Sequence, residues 1–186
     1  VCPRGLEPAL SEELLAVGAH SLRAEAGGVA FKGSLTAAYA ANLHSRIASR
    51  ILWQVGRRGY LTEQHLYDAT QEVRWQDLMT AQQTLRVDVT ASRSPLQSLE
   101  FAMLRIKDGI VDRLRELTGA RPSIDRSNPD VRVFAFLDAS TVTLYVDLSG
   151  EALFKRGWRA DKGEAPLKEN LAAGLLALAG WTPSAP

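Results

Sequence analysis

The sequence predicts an α+β protein made of two small units in series, followed by a linker and a final helix. Three observations carry that prediction. Residues 1–58 run helix, strand, strand, helix, strand. Leu85, Val87 and Val89 alternate with polar neighbours, as a strand with one buried face must. Leu99, Met103, Ile106, Ile110, Leu114 and Leu117 step by threes and fours, the spacing of one helix face.

In the first unit, Pro8 suits a first helical position, Leu10, Leu14 and Leu15 form a stripe, and Gly18 stops the helix. A strand over His20–Ala26 turns at Gly27 and Gly28 into "VAFKG". Ser34 caps a helix through about His44, with Ala38, Tyr39, Leu43 and Ile47 as its apolar residues. "RILWQVG" reads as a strand in which Ile51, Trp53 and Val55 alternate. With Val1–Pro3 as the remnant of a leading strand, the order becomes β-α-β-β-α-β, the ferredoxin-like arrangement.

In the second unit, Thr62 caps a helix carrying Leu66, Ala69 and Val73, and "WQDLM" continues as a short helical piece. The strand "TLRVDVTAS" ends at Ser94-Pro95, and the long helix runs from Gln97 to about Thr118, closed by Gly119. "ARPSIDRSNPD" is a polar loop. "VRVFAFLD" and "TVTLYVDLS" then form a hairpin whose apolar faces cover the long helix. After Gly150 the pattern dissolves into a basic linker. The last helix carries Leu167, Leu171, Leu175 and Leu178 on one stripe. The expected division is therefore 1–58, 59–149 and 150–186.

The 186 residues carry 22 Lys plus Arg against 21 Asp plus Glu, so bulk charge points to no partner. A nucleic-acid surface would have to come from local clustering of cations. Cys2 is the one cysteine, which excludes an internal disulfide and a thiolate metal cluster and fits a reducing, cytoplasmic setting. No run approaches the ~18 apolar residues of a membrane span. His20, His44 and His65 lack metal-ligand spacing. Phosphate-binding glycine loops, nucleophile elbows and zinc-protease motifs are absent from the sequence. Asp125 and Asp130 share a loop with Arg126 and Arg132, which reads as turn capping and local ion pairing.

Two stretches remain as binding candidates. "FKRGWRADKG" interleaves Lys155, Arg156, Arg159 and Lys162 with Phe154 and Trp158. Cations there would meet phosphates while aromatic faces stack on unpaired bases, or the stretch is a solvated linker. On the long helix, the face opposite the stripe carries Arg105, Asp108, Asp112, Arg115 and Glu116, with mixed sign, and Lys107 lies nearer the stripe. Arg93, Arg121 and Arg126 would join that face if the fold gathered them.

Seven segments in order along the chain carry a resemblance: "RGLEPALSEELLAVGA", "GGVAFKG", "AYAANLHSRIASRIL", "KDGIVD", "RPSIDRSNPDVRV", "DLSGEALFKRGWR" and "APLKENLAAGLLALAGW". Through them the sequence resembles the N-terminal part of the bacterial large-subunit ribosomal RNA guanine-N2 methyltransferases, once described as N6-adenine-specific DNA methylases. The resemblance implies a ferredoxin-like unit, then a THUMP domain that binds structured RNA, then a Rossmann-like catalytic domain using S-adenosylmethionine. The sequence departs from the pattern at "TPSAP", before any methyl-donor loop or target-base motif, so the chain is expected to be catalytically inert by itself. Carried over from the family, Lys155, Arg156 and Arg159 are the leading RNA contacts; Arg93, Lys107 and Arg126 are further candidates from the residue pattern alone. Pro166, Leu167 and Lys168 would line part of the methyl-donor pocket. The resemblance makes the last helix a lead-in to a methyltransferase domain, so its apolar stripe should be exposed, displaced, or buried against another copy of the chain. A scaffold module without RNA of its own, and an enzyme complete in this chain, are the competing readings.

Overall fold

The computed structural model of the chain describes residues 1–157 and 163–181. The fold is α+β and divides into two compact units, one of residues 1–52 with 148–186 and one of residues 53–147.

Unit 1 holds α1 (Glu7–Ala16), the antiparallel hairpin β1 (His20–Glu25) and β2 (Gly28–Lys32), α2 (Leu35–His44) and α5 (Glu169–Leu178). Its core contains Leu6, Leu10 and Leu14, Ala41, Ile47 and Ile51. The expected leading strand survives as backbone bonds to segments on both sides. Cys2 N–H donates to Gly27 O (2.8 Å) and Ser49 N–H to Val1 O (2.8 Å), so Val1–Pro3 lies between those two segments as ferredoxin-like order requires. Ser34 caps α2 as expected, its Oγ accepting from Ala37 N–H. The face α2 buries is not the expected one, because Ala37 and Ala41 point inward while Tyr39 and Leu43 are 62% and 66% exposed.

Unit 2 holds a five-stranded sheet in the order β3-β7-β6-β4-β5, from β3 (Leu52–Gly59), β4 (Thr84–Ala91), β5 (Ser123–Ile124), β6 (Val131–Leu137) and β7 (Thr141–Asp147). β6 and β7 form the predicted hairpin. β4 and β6 are parallel, joined through α4 (Leu99–Thr118). α3 (Glu63–Gln71), a 3-10 turn (Trp75–Asp77) and α4 share one core with the inward residues of the sheet. That core takes Leu85 and Val87 from β4, Val131 to Leu137 at alternate positions from β6, and Val142, Leu144 and Val146 from β7. The α4 stripe is buried at Ile106, Ile110 and Leu114 and emerges at its ends, where Leu99 and Leu117 are 40% and 45% exposed. Gly109 lets α3 approach α4: a methyl there would fall on the hydroxyl of buried Thr70 and 3.0 Å from Tyr67 O.

The expected boundary at residue 58 falls inside β3, whose strand pairing assigns it to the second unit. Residues 148 onward, expected as a linker, belong with unit 1. Leu148 N–H donates to Ile51 O (3.0 Å) and Leu153 N–H to Ser49 O (2.9 Å), adding this segment to the same backbone ladder.

Candidate nucleic-acid interface

The basic stretch begins on the returning segment of unit 1. Ile51 N–H donates to Ser149 Oγ (2.8 Å), and Arg50 Nη1 donates to Gly150 O (2.6 Å). These bonds fix the backbone that leads into Phe154, Lys155 and Arg156. Lys155 is exposed and its amide closes a turn on Ala152 O. Its ammonium is therefore available to a phosphate.

Arg156 is placed differently. Its guanidinium donates to Leu153 O through Nε (3.0 Å), to Leu43 O through Nη1 (2.8 Å), and to Asn42 O and Ser45 O through Nη2 (2.7 and 3.1 Å). Three of those carbonyls belong to the last turn and cap of α2, where backbone acceptors lack partners and the helix end is negative. In this structure the fork is turned onto those carbonyls and clamps the end of α2. Arg159 lies outside the described residues, as do Trp158 and Lys162.

Pro166, Leu167 and Lys168 come back to the same place. An open pocket of about 460 Å³ is lined by Phe154, Lys155, Pro166, Leu167, Lys168 and Glu169, among others. Lys168 Nζ stands 5.4 Å from the Phe154 ring centroid, a cation–π distance. The next turn is anchored by Asn170, 1% exposed, whose Nδ2 donates to Ser49 Oγ (2.9 Å). α5 then docks on α1 through Gly174, against Leu6, with Leu171 partly buried beside it. Leu167, Leu175, Leu176 and Leu178 remain 45–61% exposed, so the stripe is exposed at three of its four expected positions. The anchoring role of Asn170 and Gly174 was not visible in the stripe, because neither residue is apolar and large.

Arg93, Lys107 and Arg126 all lie in unit 2 and do not converge. Arg93 follows the end of β4 with φ 61°, while Arg126 precedes β6 near the start of β4. The seven-residue register of β4 on β6 separates those ends by roughly 20 Å. Lys107 sits midway along α4, paired with Asp108 (2.7 Å). Asp125 and Asp130 behave as turn caps. Asp125 accepts from Ser127 and Asn128 N–H, and Asp130 accepts from Thr84 N–H and Oγ1, which holds both carboxyls below their usual range. Among the described residues no group of His, Cys, Asp or Glu is arranged to hold a metal, and no helix is long and apolar enough to cross a membrane.

Comparison with known proteins supplies the family. Residues 1–52 match the RlmL ferredoxin-like domain, 60–147 the THUMP domain, and 156–186 the start of the RMKL-like methyltransferase domain. The ribosomal RNA large subunit methyltransferase K/L of Pseudomonas aeruginosa is 45% identical over 97% of this chain. This chain belongs to the N-terminal part of that methyltransferase family. It spans 25% of the length of that relative. A crystal structure of a predicted N6-adenine-specific DNA methylase from Listeria monocytogenes superposes with a TM-score of 0.88 at 30% identity, over all of this chain and 48% of that one. SMU.472, solved in complex with SAH, gives 0.86 at 28% identity, again over all of this chain and 49% of its own length. The resemblance seen in the sequence, its α+β class and its THUMP domain are thus established for this member of the K/L family.

Proposed function

We propose that this chain is the RNA-holding part of an S-adenosylmethionine-dependent methyltransferase acting on large-subunit ribosomal RNA. The observation that carries the proposal is the serial match to ferredoxin-like, THUMP and incipient methyltransferase domains in K/L relatives four times its length. In this reading the ferredoxin-like and THUMP units bind folded RNA. They present an extruded guanine to a catalytic domain that follows, where its exocyclic amine meets the methyl donor. Lys155 supplies a phosphate contact beside the start of that domain, with Arg159 as its companion.

Pro166 and Leu167, with Phe154, offer apolar surface of the kind an adenine ring takes, and Glu169 a carboxylate able to accept from a ribose hydroxyl. These residues fit one wall of a methyl-donor pocket. S-adenosylmethionine would supply the electrophilic methyl group there; this chain's part is to shape the wall and exclude water. The exposed leucines of α5 would pack on the remainder of the catalytic domain in the whole protein. In the chain alone they would favour association with a second copy, which sedimentation reads directly.

The test is RNA binding against salt. Anisotropy with large-subunit rRNA fragments should give log affinity falling linearly with log salt between ~50 and ~200 mM. Lys155→Ala should weaken binding and reduce the slope by about one phosphate contact. Absence of RNA binding at low salt, with tight binding to the separately made catalytic part, would instead establish a protein-interaction module.

A further inference from the structure

Both helices of unit 2 lie on one face of its sheet, and the other face carries no element of that unit. Strand alternation decides what that face presents. On β4 the inward residues are Leu85 and Val87, so Arg86, Asp88 and Thr90 point outward. On β6 they are Val131, Val133, Ala135 and Leu137, so Arg132, Phe134 and Phe136 point outward. The register sets Phe134 directly opposite Tyr145 of β7 and Phe136 opposite Thr143. On β3, Gly56 faces Val73 and Leu144 of the core, so Trp53 and Arg57 point the other way.

The result is a row of rings across three adjacent strands with arginines between and beside them. Trp53 and Phe136 are 43% and 40% exposed, high for aromatic side chains within a sheet. Arg86 holds Asp88 through Nε and Nη2 (2.9 and 2.7 Å), and Arg132 Nε approaches the same carboxylate (3.5 Å). Asp88 is shared between these two guanidinium groups, and Asp147, next to Val146, the partner of Val133, faces the same side, so the charges at that edge balance; Arg57 supplies positive charge at the far edge. The nearby carboxylates of Asp125 and Asp138 are turned to amides of their own loops. Exposed rings interleaved with cations match a strand of nucleotides, whose bases stack and whose phosphates need positive charge.

We propose that this sheet face is a stacking platform for unpaired RNA nucleotides, with Trp53 and Phe136 as base-stacking rings and Arg57 as a phosphate contact. It rests on the reading of the chain as an RNA-binding module and adds to it a second, single-strand-specific surface. A platform of this kind explains how one module could grip structured RNA at its loops, where bases are free to splay.

The experiment uses the whole chain and two probes of matched length, an rRNA stem-loop and a blunt duplex. Trp53→Ala and Phe136→Ala should each weaken stem-loop binding at least about fivefold and leave duplex binding unchanged. Trp53→Phe and Phe136→Tyr, which keep a ring, should recover most of the loss. Circular dichroism of each variant guards against unfolding, and the ring-retaining pair carries the test if an alanine variant fails to fold. Stem-loop binding of normal strength in both alanine variants overturns the platform and leaves the RNA reading intact. Equal losses on duplex and stem-loop also overturn it. A loss of self-association or of catalytic-part binding, with RNA affinity unchanged, would make the face a protein interface and overturn it too. Failure of the unmodified chain to bind either probe overturns the RNA reading and the platform together.

Discussion

Replacing Arg156 by lysine separates charge from geometry at a basic position whose guanidinium grips backbone carbonyls. Arginine makes four hydrogen bonds to carbonyls of the α2 end and of Leu153, from three nitrogens spread over a rigid fork. A lysine ammonium is a point donor and can meet one or two of those oxygens. Each charge-assisted bond is worth ~1.5–3 kcal/mol when fully protected. Arg156 is only half-buried, so its carbonyls partly recover water, and ~1 kcal/mol for each lost bond is the better figure. Losing two bonds then costs about 2 kcal/mol. At ~2–4 °C per kcal/mol for a chain of this size, thermal unfolding should come ~4–8 °C earlier. The positive charge at the helix end is retained, so its favourable dipole interaction, ~0.3–1 kcal/mol, is not what is being removed. Arg156→Ala should fall further by about that amount. Lys155→Ala, at an exposed position, should stay within ~0.5 kcal/mol of the parent. The assay is a thermal melt followed by circular dichroism, with RNA affinity measured on the same samples. A melt of Arg156→Lys unchanged from the parent, together with weaker RNA binding in Arg156→Ala, would refute the clamp and restore Arg156 as a phosphate contact.

Two further outcomes follow from local geometry. Gly174→Ala places a methyl 2.2 Å from Leu6 Cδ1, and Leu6 is only 2% exposed and cannot swing aside. The cost should be ~1–3 kcal/mol, read as faster hydrogen exchange and proteolysis over residues 165–181 with unit 2 unaffected. In the β6–β7 turn, Thr141 Oγ1 and the Ser140 and Thr141 amides donate to Asp138 and draw its pKa down from 3.8 to about 2. A carboxyl lowered by folding stabilises the protein above its unfolded pKa, and the gain is lost as pH falls through the folded value. The melting difference between the parent and Asp138→Ala should therefore be full above pH ~4 and vanish towards pH ~2. A difference that persists at pH 2 would show that the carboxylate is not its source.

The parts of the fold that the sequence displayed well are those where large apolar residues repeat. α4, β4, β6 and β7 each bury such a set, and their alternation or stripe was a direct image of the core. α2 was misjudged at its inward face because close packing there selects Ala37 and Ala41, while larger Tyr39 and Leu43 are left outside. β3 reads as a strand in the sequence, but alternation says nothing about which neighbour a strand pairs with, and here it pairs with β7. β5, two residues long, has no period to detect. At the candidate interface, residue type announced positive charge but not its direction. Lys155 and Arg156 are adjacent in sequence and similar in character, yet one faces solvent and the other the end of a helix that precedes it by more than a hundred residues. The sheet-face rings were hidden for the same reason. In "VRVFAFLD" both alternating faces hold apolar residues, so only the contacts show that Val131, Val133, Ala135 and Leu137 face the core and Phe134 and Phe136 do not.

The division of unit 1 into residues 1–52 and 148–186 has a consequence for how the chain assembles. Bonds such as Arg50 Nη1 to Gly150 O and Ser149 Oγ to Asn42 Oδ1 join residues 100 and 107 positions apart. Closing a flexible loop of that length carries a substantial entropic penalty. β3 opens unit 2, β7 closes it, and the two are neighbours in its sheet. Folding of the intervening 53–147 segment therefore brings residues 52 and 148 side by side before unit 1 is complete, and the long closure becomes a local one. On a ribosome, the inserted segment would mature first, and the two stretches of its host unit would then meet without a long search.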